Sequence, residues 1–106
     1  MAQTERKTRS VGRVVPGTAK TANANFFTDN ITPTGSCLMR LSICLSQAGV
    51  CSILVSAYTI KLNAGVALTA DCLYTIEFQA SPLDSINVRT SIGCQVLYCN
   101  LVSVNG

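Results

Sequence analysis

Hydrophobic and polar residues alternate most regularly along the segment 72–92. Apolar side chains occupy the even positions from 72 to 80, and polar side chains occupy the odd positions from 75 to 79. After an interruption with the sequence SPLDS, the alternation resumes at Ile86. A period of two residues is typical of half-buried strands. The pattern therefore predicts strands at about 72–80 and 86–92, joined by a turn.

Three further segments have the composition of strands. CLMRLSICLS alternates in the same way and predicts a half-buried strand at about 37–46. The segments 50–62 (VCSILVSAYTIKL) and 94–104 (CQVLYCNLVSV) carry apolar side chains on both phases, which predicts that each is covered on both faces. Two or three more strands fit within residues 11–31 and 66–70.

These strands follow one another at short intervals, and no segment has the 3.6-residue period of a helix. Glycines such as Gly49 and Gly65 lie where turns are needed. The sequence thus predicts an all-β fold over residues 26–106, either an antiparallel β-sandwich or a small barrel. Residues 1–25 are predicted to be an extended basic N-terminal arm, with no core strand within residues 1–20.

The composition indicates that a partner covers part of the surface. Charged residues make up 12% of the chain, about half of the usual ~25%. A second subunit would cover the extra apolar phases of segments 50–62 and 94–104, and a surface rich in serine and threonine is the alternative. The predicted homo-oligomer interface consists of Leu54, Val55, Leu97 and Leu101.

The positive charge is concentrated in the arm. The chain has a net charge of +3, and residues 1–20 alone carry +4. One interpretation is a strap that docks on a neighbouring subunit through its valines. A second is a tail that contacts the phosphates of a nucleic acid, and a third is a disordered arm. The predicted arm contacts are Arg6, Lys7, Arg9, Arg13, Val14 and Val15.

The sequence offers little for catalysis. It contains no histidine, so a Ser-His-Asp or Cys-His pair cannot form. Asp71 and Asp84 are assigned to turns and Glu77 to a polar strand face, where acidic residues are ordinary. The Cys-x-x-Cys spacing of zinc sites is absent from the sequence. We therefore expect no enzymatic activity, no cofactor and no metal.

The six cysteines are expected to be reduced and buried. MAQTERKTRS lacks the apolar core of a signal peptide, and no run approaches the ~20 apolar residues of a membrane helix. These features predict synthesis in the cytoplasm, where thiols stay reduced, and no membrane partner. Cys37 and Cys44 are separated by an odd number of positions, which places them on opposite faces of one strand. The same holds for Cys94 and Cys99 unless a bulge intervenes.

The segment LNAGVALTADCLYTIEFQASPLDSINVRTS, with the hydrophobic strand after it, resembles a small jelly-roll or β-sandwich module of phage and virus structural proteins. In that pattern a glycine turn leads to a leucine and an aromatic-containing strand, here Leu73, Tyr74 and Phe78. A turn of Gly-Asp-Ser-Ile-Asn type follows. Residues 84–87 (DSIN) match this turn, whereas Leu83 stands where the pattern has glycine.

The resemblance covers about residues 37–104. It implies an oligomeric, often trimeric, virion component such as a capsid decoration protein, a fibre base or a tail subunit. The leading hypothesis is therefore a non-enzymatic, self-associating protein of the capsid or tail, made and assembled in the host cytoplasm. The alternatives are a nucleic-acid-binding coat protein or small β-barrel that uses the basic arm, and a cellular filament subunit or carbohydrate-binding module.

Overall fold

The computed structural model describes residues 7–35, 37–56 and 58–105, with the side chains of residues 7 and 105 left undescribed. This part of the chain forms two antiparallel sheets that pack together, which confirms the predicted all-β sandwich. Its elements are β1 (Lys7–Val14), β2 (Thr18–Lys20), β3 (Cys37–Leu45), β4 (Cys51–Val55), β5 (Tyr58–Lys61), a 3-10 turn (Leu62–Gly65), β6 (Leu73–Ala80), β7 (Ile86–Thr90) and β8 (Cys94–Asn105).

The two sheets differ in size. The large sheet has the order β1-β8-β3-β6, and β2 also pairs with β8. The small sheet has the order β5-β4-β7. Within the described residues, no helix is long and apolar enough to cross a membrane.

The core lies between the sheets and is built by alternation. On β3, buried and half-buried residues alternate, so that Leu41 and Ile43 face the small sheet with no exposed surface. The small sheet contributes Ile53 and Val88, which are equally buried. Each such side chain stabilises the fold by about 1.5–3 kcal/mol relative to exposure to water.

The prediction that no core strand lies within residues 1–20 is wrong. β1 pairs antiparallel with β8 from the Lys7–Asn105 pair to the Val14–Cys99 pair, and β2 continues along the same strand. Val14 is buried in the core. The segment looks like a free arm in the sequence because an edge strand needs few apolar side chains. The first six residues of the predicted arm lie outside the described residues.

The segment 50–62 is not one strand covered on both faces. It is a hairpin of β4 and β5 in which Ile53 pairs with Ile60 and Val55 pairs with Tyr58. Because the chain reverses direction between the two strands, apolar residues at odd positions of β4 lie on the same side of the sheet as apolar residues at even positions of β5. This reversal explains why the segment is apolar on both phases.

β8 is apolar on both phases for another reason. Its pairing with β3 shifts between the Cys44–Tyr98 pair and the Leu45–Val96 pair, which makes Leu97 an extra residue on β8. Such a bulge reverses the phase of the side chains that follow it. Val96 and Cys99 are therefore both buried.

The segment 23–31 closes the free side of β7. The backbone N–H groups of Asn23 and Phe26 donate to the carbonyl oxygens of Thr90 and Val88, at 2.8 and 2.9 Å. Ile31 exchanges two backbone hydrogen bonds of 2.8 Å with Ile86. These bonds satisfy the edge of the small sheet.

A buried amide fixes this segment. Asn87 is 3% exposed, and its Oδ1 accepts a hydrogen bond from the backbone N–H of Phe27 at 3.0 Å. Its Nδ2 donates to the carbonyl oxygen of Phe27 at 3.0 Å and to Asn30 Oδ1 at 2.8 Å. Phe26 and Phe27 are both buried, so this segment is anchored in the core as well as along the edge.

Candidate functional site

The outer face of the large sheet, which is the face turned away from the small sheet, carries the candidate site. Alternation on β3 turns Arg40, Ser42 and Cys44 to this face, while the residues between them enter the core. The pairing of β3 with β6 and β8 then sets which residues lie side by side across the sheet. The described strands form no third sheet over this face. At the end away from Cys44, however, Val104 lies opposite Leu38 on the outer face and is only 3% exposed.

An apolar row crosses one end of the outer face. Cys44 pairs with Leu73 of β6 on one side and with Tyr98 of β8 on the other. Val15 directly follows the Val14–Cys99 pair, at the same end of the sheet as Tyr98. Leu73 is 62% exposed, Tyr98 41% and Val15 71%. We call Val15, Tyr98, Cys44 and Leu73 the apolar row.

The middle of the outer face is polar and internally paired. Arg40 and Glu77 form a salt bridge with 3.3 Å between Nη2 and Oε2. Beside it, the hydroxyl oxygens of Ser42 and Thr75 lie 3.2 Å apart within hydrogen-bonding distance. Both pairs are open to water and contribute little to stability, about 0–1 kcal/mol each.

The thiol of Cys44 in the apolar row is held in its neutral form. Its pKa is raised above the ordinary value by loss of solvation first, and then by the charges of Asp71 and Cys72. Since the thiolate is the reactive form of cysteine, this environment disfavours a nucleophile. The row is therefore suited to apolar contact.

The remaining cysteines are mostly interior. Cys51, Cys94 and Cys99 are buried and Cys37 is half-buried. Cys72 is exposed, so the expectation that all six cysteines are buried is wrong. All six are free thiols. Burial raises the pKa values of Cys51 and Cys99 to about 12.

Two expectations about the faces of the cysteines are met. Cys37 shares the inner phase of β3 with Met39, to whose sulfur its thiol donates at 3.4 Å, whereas Cys44 lies on the outer face. Cys94 and Cys99 are both buried because the bulge at Leu97 lies between them.

The structure does not bring the four predicted interface residues together. Leu101 and Val55 are 0% and 3% exposed and belong to the protein's own core, so neither is available for an intermolecular contact. Leu54 is half-buried on the outer side of the small sheet. Leu97 is half-buried at the bulge of β8 in the large sheet. The last two therefore lie on different sheets.

The predicted arm contacts are also divided. Val14 is in the core and Val15 is exposed. Arg9 and Arg13 are both exposed, but the pairing of β1 with β8 shifts between Ser10 and Gly12, which changes the phase between the two arginines.

Their surroundings confirm this division. Arg13 pairs with Asn100, whose Oδ1 accepts a hydrogen bond of 2.6 Å from Ser10 on the outer face. Arg9 borders a cavity at the other side of β1, together with Val11 and the buried Met39. The two arginines therefore do not form one basic surface. Arg6 and the side chain of Lys7 lie outside the described residues.

Two open cavities border the described residues, and no described residue that lines them is a catalytic group. The first, of ≈ 460 Å³, lies between β1 and the loop 31–35, and Arg9 is its one charged lining residue within the described chain. The second, of ≈ 450 Å³, lies over the small sheet, where Arg89 Nε donates to Asn25 Oδ1 at 2.7 Å. No cluster of three or more metal-ligating side chains occurs among the described residues.

Sequence reasoning missed three members of the apolar row, including Cys44, which was expected to be buried. Leu73 stands in the polar phase of β6, ahead of Thr75 and Glu77, and this misfit was a readable signal. Tyr98 was hidden because the phase of β8 changes at the bulge.

Comparison with known proteins adds no family. No protein-family model matches the chain, and no curated protein is significantly similar to it.

Proposed function

We propose that the protein is a non-enzymatic structural subunit of a virion, which self-associates as part of the capsid or tail. The observation that carries the proposal is the exposure of the apolar row on the outer face of the large sheet. Contiguous exposed apolar side chains often mark the surface through which a protein contacts a partner. The virion context comes from the resemblance of residues 37–104 to phage and virus modules.

The apolar row would form the centre of the interface between subunits. Burying Leu73, Tyr98 and Val15 against a neighbour removes apolar area from water, at about 25 cal/mol per Å². The paired Arg40 and Glu77 would stay at the margin of the contact and set its orientation, since rim charges contribute more to specificity than to affinity.

The chemistry of the molecule supports a structural role over an enzymatic one. The thiol in the apolar row is kept neutral, and the chain has no histidine to act as a general base. The two open cavities present one arginine each and no carboxylate in their described linings. Assembly in the host cytoplasm would suit a protein with six free thiols.

Sedimentation velocity of matched variants tests the assembly role. Tyr98→Lys and Val15→Lys each place a charge within the apolar row without touching the core. Leu83→Lys is the matched control, because Leu83 is 91% exposed in a loop away from the row. We expect the first two to shift the mass distribution toward the monomer and the control to match the wild type. Equal mass distributions for all four proteins would contradict the use of the apolar row.

A second measurement addresses the virion context. Particles purified by density gradient from producing cells should contain this chain in stoichiometric amount by mass spectrometry. The Tyr98→Lys protein should be depleted from them, and Leu83→Lys should not. A chain absent from every particle fraction would argue against the virion role even if the protein self-associates.

The nucleic-acid alternative has its own test. Because Arg9 and Arg13 face different sides of β1, we expect weak binding to duplex DNA or RNA that is insensitive to Arg13→Gln. A logarithmic salt slope that falls by about 0.9 on Arg13→Gln would instead support a phosphate contact.

A further inference from the structure

The outer edge of β6 is an open template for another strand. β6 lies at the end of the large sheet and pairs with β3 alone among the described strands. Its sequence, LYTIEFQA, has no proline and no lysine, which are residues that natural proteins use to protect such edges. Its one charge, Glu77, is compensated by Arg40.

The backbone groups that face outward can be identified. The carbonyl oxygen of Gln79 accepts a hydrogen bond of 3.3 Å from the hydroxyl of Tyr58, which does not belong to β3. In an antiparallel ladder, the N–H and C=O of alternate residues point to the same side. The N–H and C=O of Thr75 and Glu77 therefore also point away from β3 and have no backbone partner in the described chain.

The other edges are not equivalent to this one. The edge of β7 is closed by the segment 23–31. β1 carries the exposed Arg9 and Arg13 and an irregularity between Ser10 and Gly12, and both features hinder regular pairing. β5 has only four residues. β6 is thus the best edge for accepting a strand.

We infer that β6 pairs antiparallel with β6 of a second copy across a twofold axis, with Ile76 opposite Ile76 of the partner subunit. The two large sheets would then form one continuous sheet. Isologous pairing of this kind is the commonest symmetry of homo-oligomers. The inference rests on the self-association proposed above and adds to the apolar row a second contact between two copies, along the edge of β6.

The charge of Glu77 favours this alignment of the two β6 strands over the alignments shifted by one step in either direction. The outward-facing N–H and C=O groups belong to odd-numbered residues in both copies. The two β6 strands can therefore pair only with odd-numbered residues opposite odd-numbered residues, and the register changes in steps of two. With Ile76 at the axis, Glu77 lies opposite Thr75 of the partner subunit. A shift in one direction places Glu77 opposite its own copy, and like charges directly opposite are unfavourable. A shift in the other direction shortens the ladder to residues 73–77.

The inner face supports the same register. Tyr74 and Ile76 are only half-buried at the rim of the sandwich, although both contact the core. In the inferred pair, Ile76 meets its copy, and Tyr74 meets Phe78 of the partner subunit. These positions do not exchange backbone hydrogen bonds, so their side chains lie closest together. The pairing therefore covers the apolar side chains that the isolated sandwich leaves at its rim.

Charge substitutions at Thr75 test both partner and register. Thr75 is exposed on β6, and in the inferred dimer each copy places it opposite Glu77 of the other. Thr75→Lys creates two opposite-charge pairs and should tighten the dimer by about 2- to 30-fold. Thr75→Glu should weaken it by a similar factor, and the double variant Thr75→Glu/Glu77→Lys should restore it. The dissociation constant is measured by sedimentation velocity over a concentration series.

Thr59→Lys and Thr59→Glu are the matched controls, because Thr59 is exposed on β5, an edge strand of the small sheet. They should leave the dissociation constant unchanged. Weakening by both Thr75→Glu and Thr75→Lys, or no rescue by the double variant, would overturn the register. An associating protein that is indifferent to all Thr75 variants would overturn the β6 contact while leaving self-association intact. A protein that stays monomeric at every concentration, Thr75→Lys included, would overturn self-association itself.

Discussion

β7 and β6 each lie at the edge of a sheet, where one side of the strand has no neighbouring strand to pair with its backbone groups. The chain covers one of these two edges and leaves the other open. The side of β7 is covered by the segment 23–31, which supplies backbone hydrogen bonds along the strand and inserts two phenylalanines into the core. The side of β6 receives one hydroxyl group, from Tyr58. The comparison teaches that this fold can close an edge from within a single chain. The open edge is thus a local property of β6.

The largest expected effect comes from Asn87, which holds the covering segment on β7. Asn87→Ala removes four hydrogen bonds and leaves the buried N–H and C=O of Phe27 without their partner. We expect a loss of about 4 kcal/mol in the free energy of unfolding, measured with urea. Asn100→Ala is the control, because that amide bonds Ser10 on the exposed face. Equal losses for both variants would show that the closed edge does not depend on Asn87.

The second prediction concerns pH and the interior beside β7. Cys51 on β4 pairs with Thr90 of β7, and the pKa values of Cys51 and Cys99 are raised to about 12 by burial. The unfolded chain releases these protons near the ordinary thiol value of about 8.5–9, before the folded protein does, so stability falls as the pH rises above that range. Between pH 8 and 10 we expect a loss of roughly 3 kcal/mol from the two thiols.

Urea unfolding under reducing conditions checks the sign and size of this loss. Cys99→Ala should remove roughly half of the loss in stability that Cys51 and Cys99 contribute together, whatever its effect on stability at pH 8. A pH-dependent loss that is unchanged in this variant would show that the thiols titrate alike in the folded and unfolded states.

The third prediction compares the two edges by hydrogen exchange. In dilute monomeric protein, the amides of Phe26 and Ile31 should exchange at least roughly tenfold more slowly than those of Thr75 and Glu77. At concentrations where the protein associates, Thr75 and Glu77 should gain protection. Slow exchange of these two amides in the monomer would mean that the edge of β6 is already covered.

The smallest effect is expected at the outer face of β6. Arg40→Ala removes the exposed salt bridge to Glu77 and should change the free energy of unfolding by less than about 1 kcal/mol. A larger loss would indicate that the open edge depends on this ion pair for its own stability.

The sequence predicted the strands whose phase stays constant. β3 and β6 alternate without interruption, since every second side chain of each strand turns toward the core. β8 was predicted as a strand, but its exposed residues were not identified. The extra residue at Leu97 depends on how β8 pairs with β3, and that pairing is a property of the folded chain.

Two further errors have similar physical causes. The hairpin of β4 and β5 has the composition of one long strand that is covered on both faces. The reversal of the chain moves the apolar residues from odd-numbered to even-numbered positions, which produces the same pattern. β1 was assigned to an arm because its sequence, KTRSVGRV, is polar, and its place in the sheet comes mainly from backbone bonds to β8. Of the apolar row, Val15 alone was among the predicted contact residues.

The pairing of β1 with β8 has a consequence for how the protein is made. Lys7 lies beside Asn105, so the first described strand finds its partner only after the last described strand has been synthesised. At the usual rate of about 5–20 residues per second, β1 waits roughly 5–20 seconds for β8. During that time β3 also lacks one of its two neighbours. The large sheet therefore forms late in synthesis, and nascent chains on one messenger would expose open strands to each other before each could fold alone.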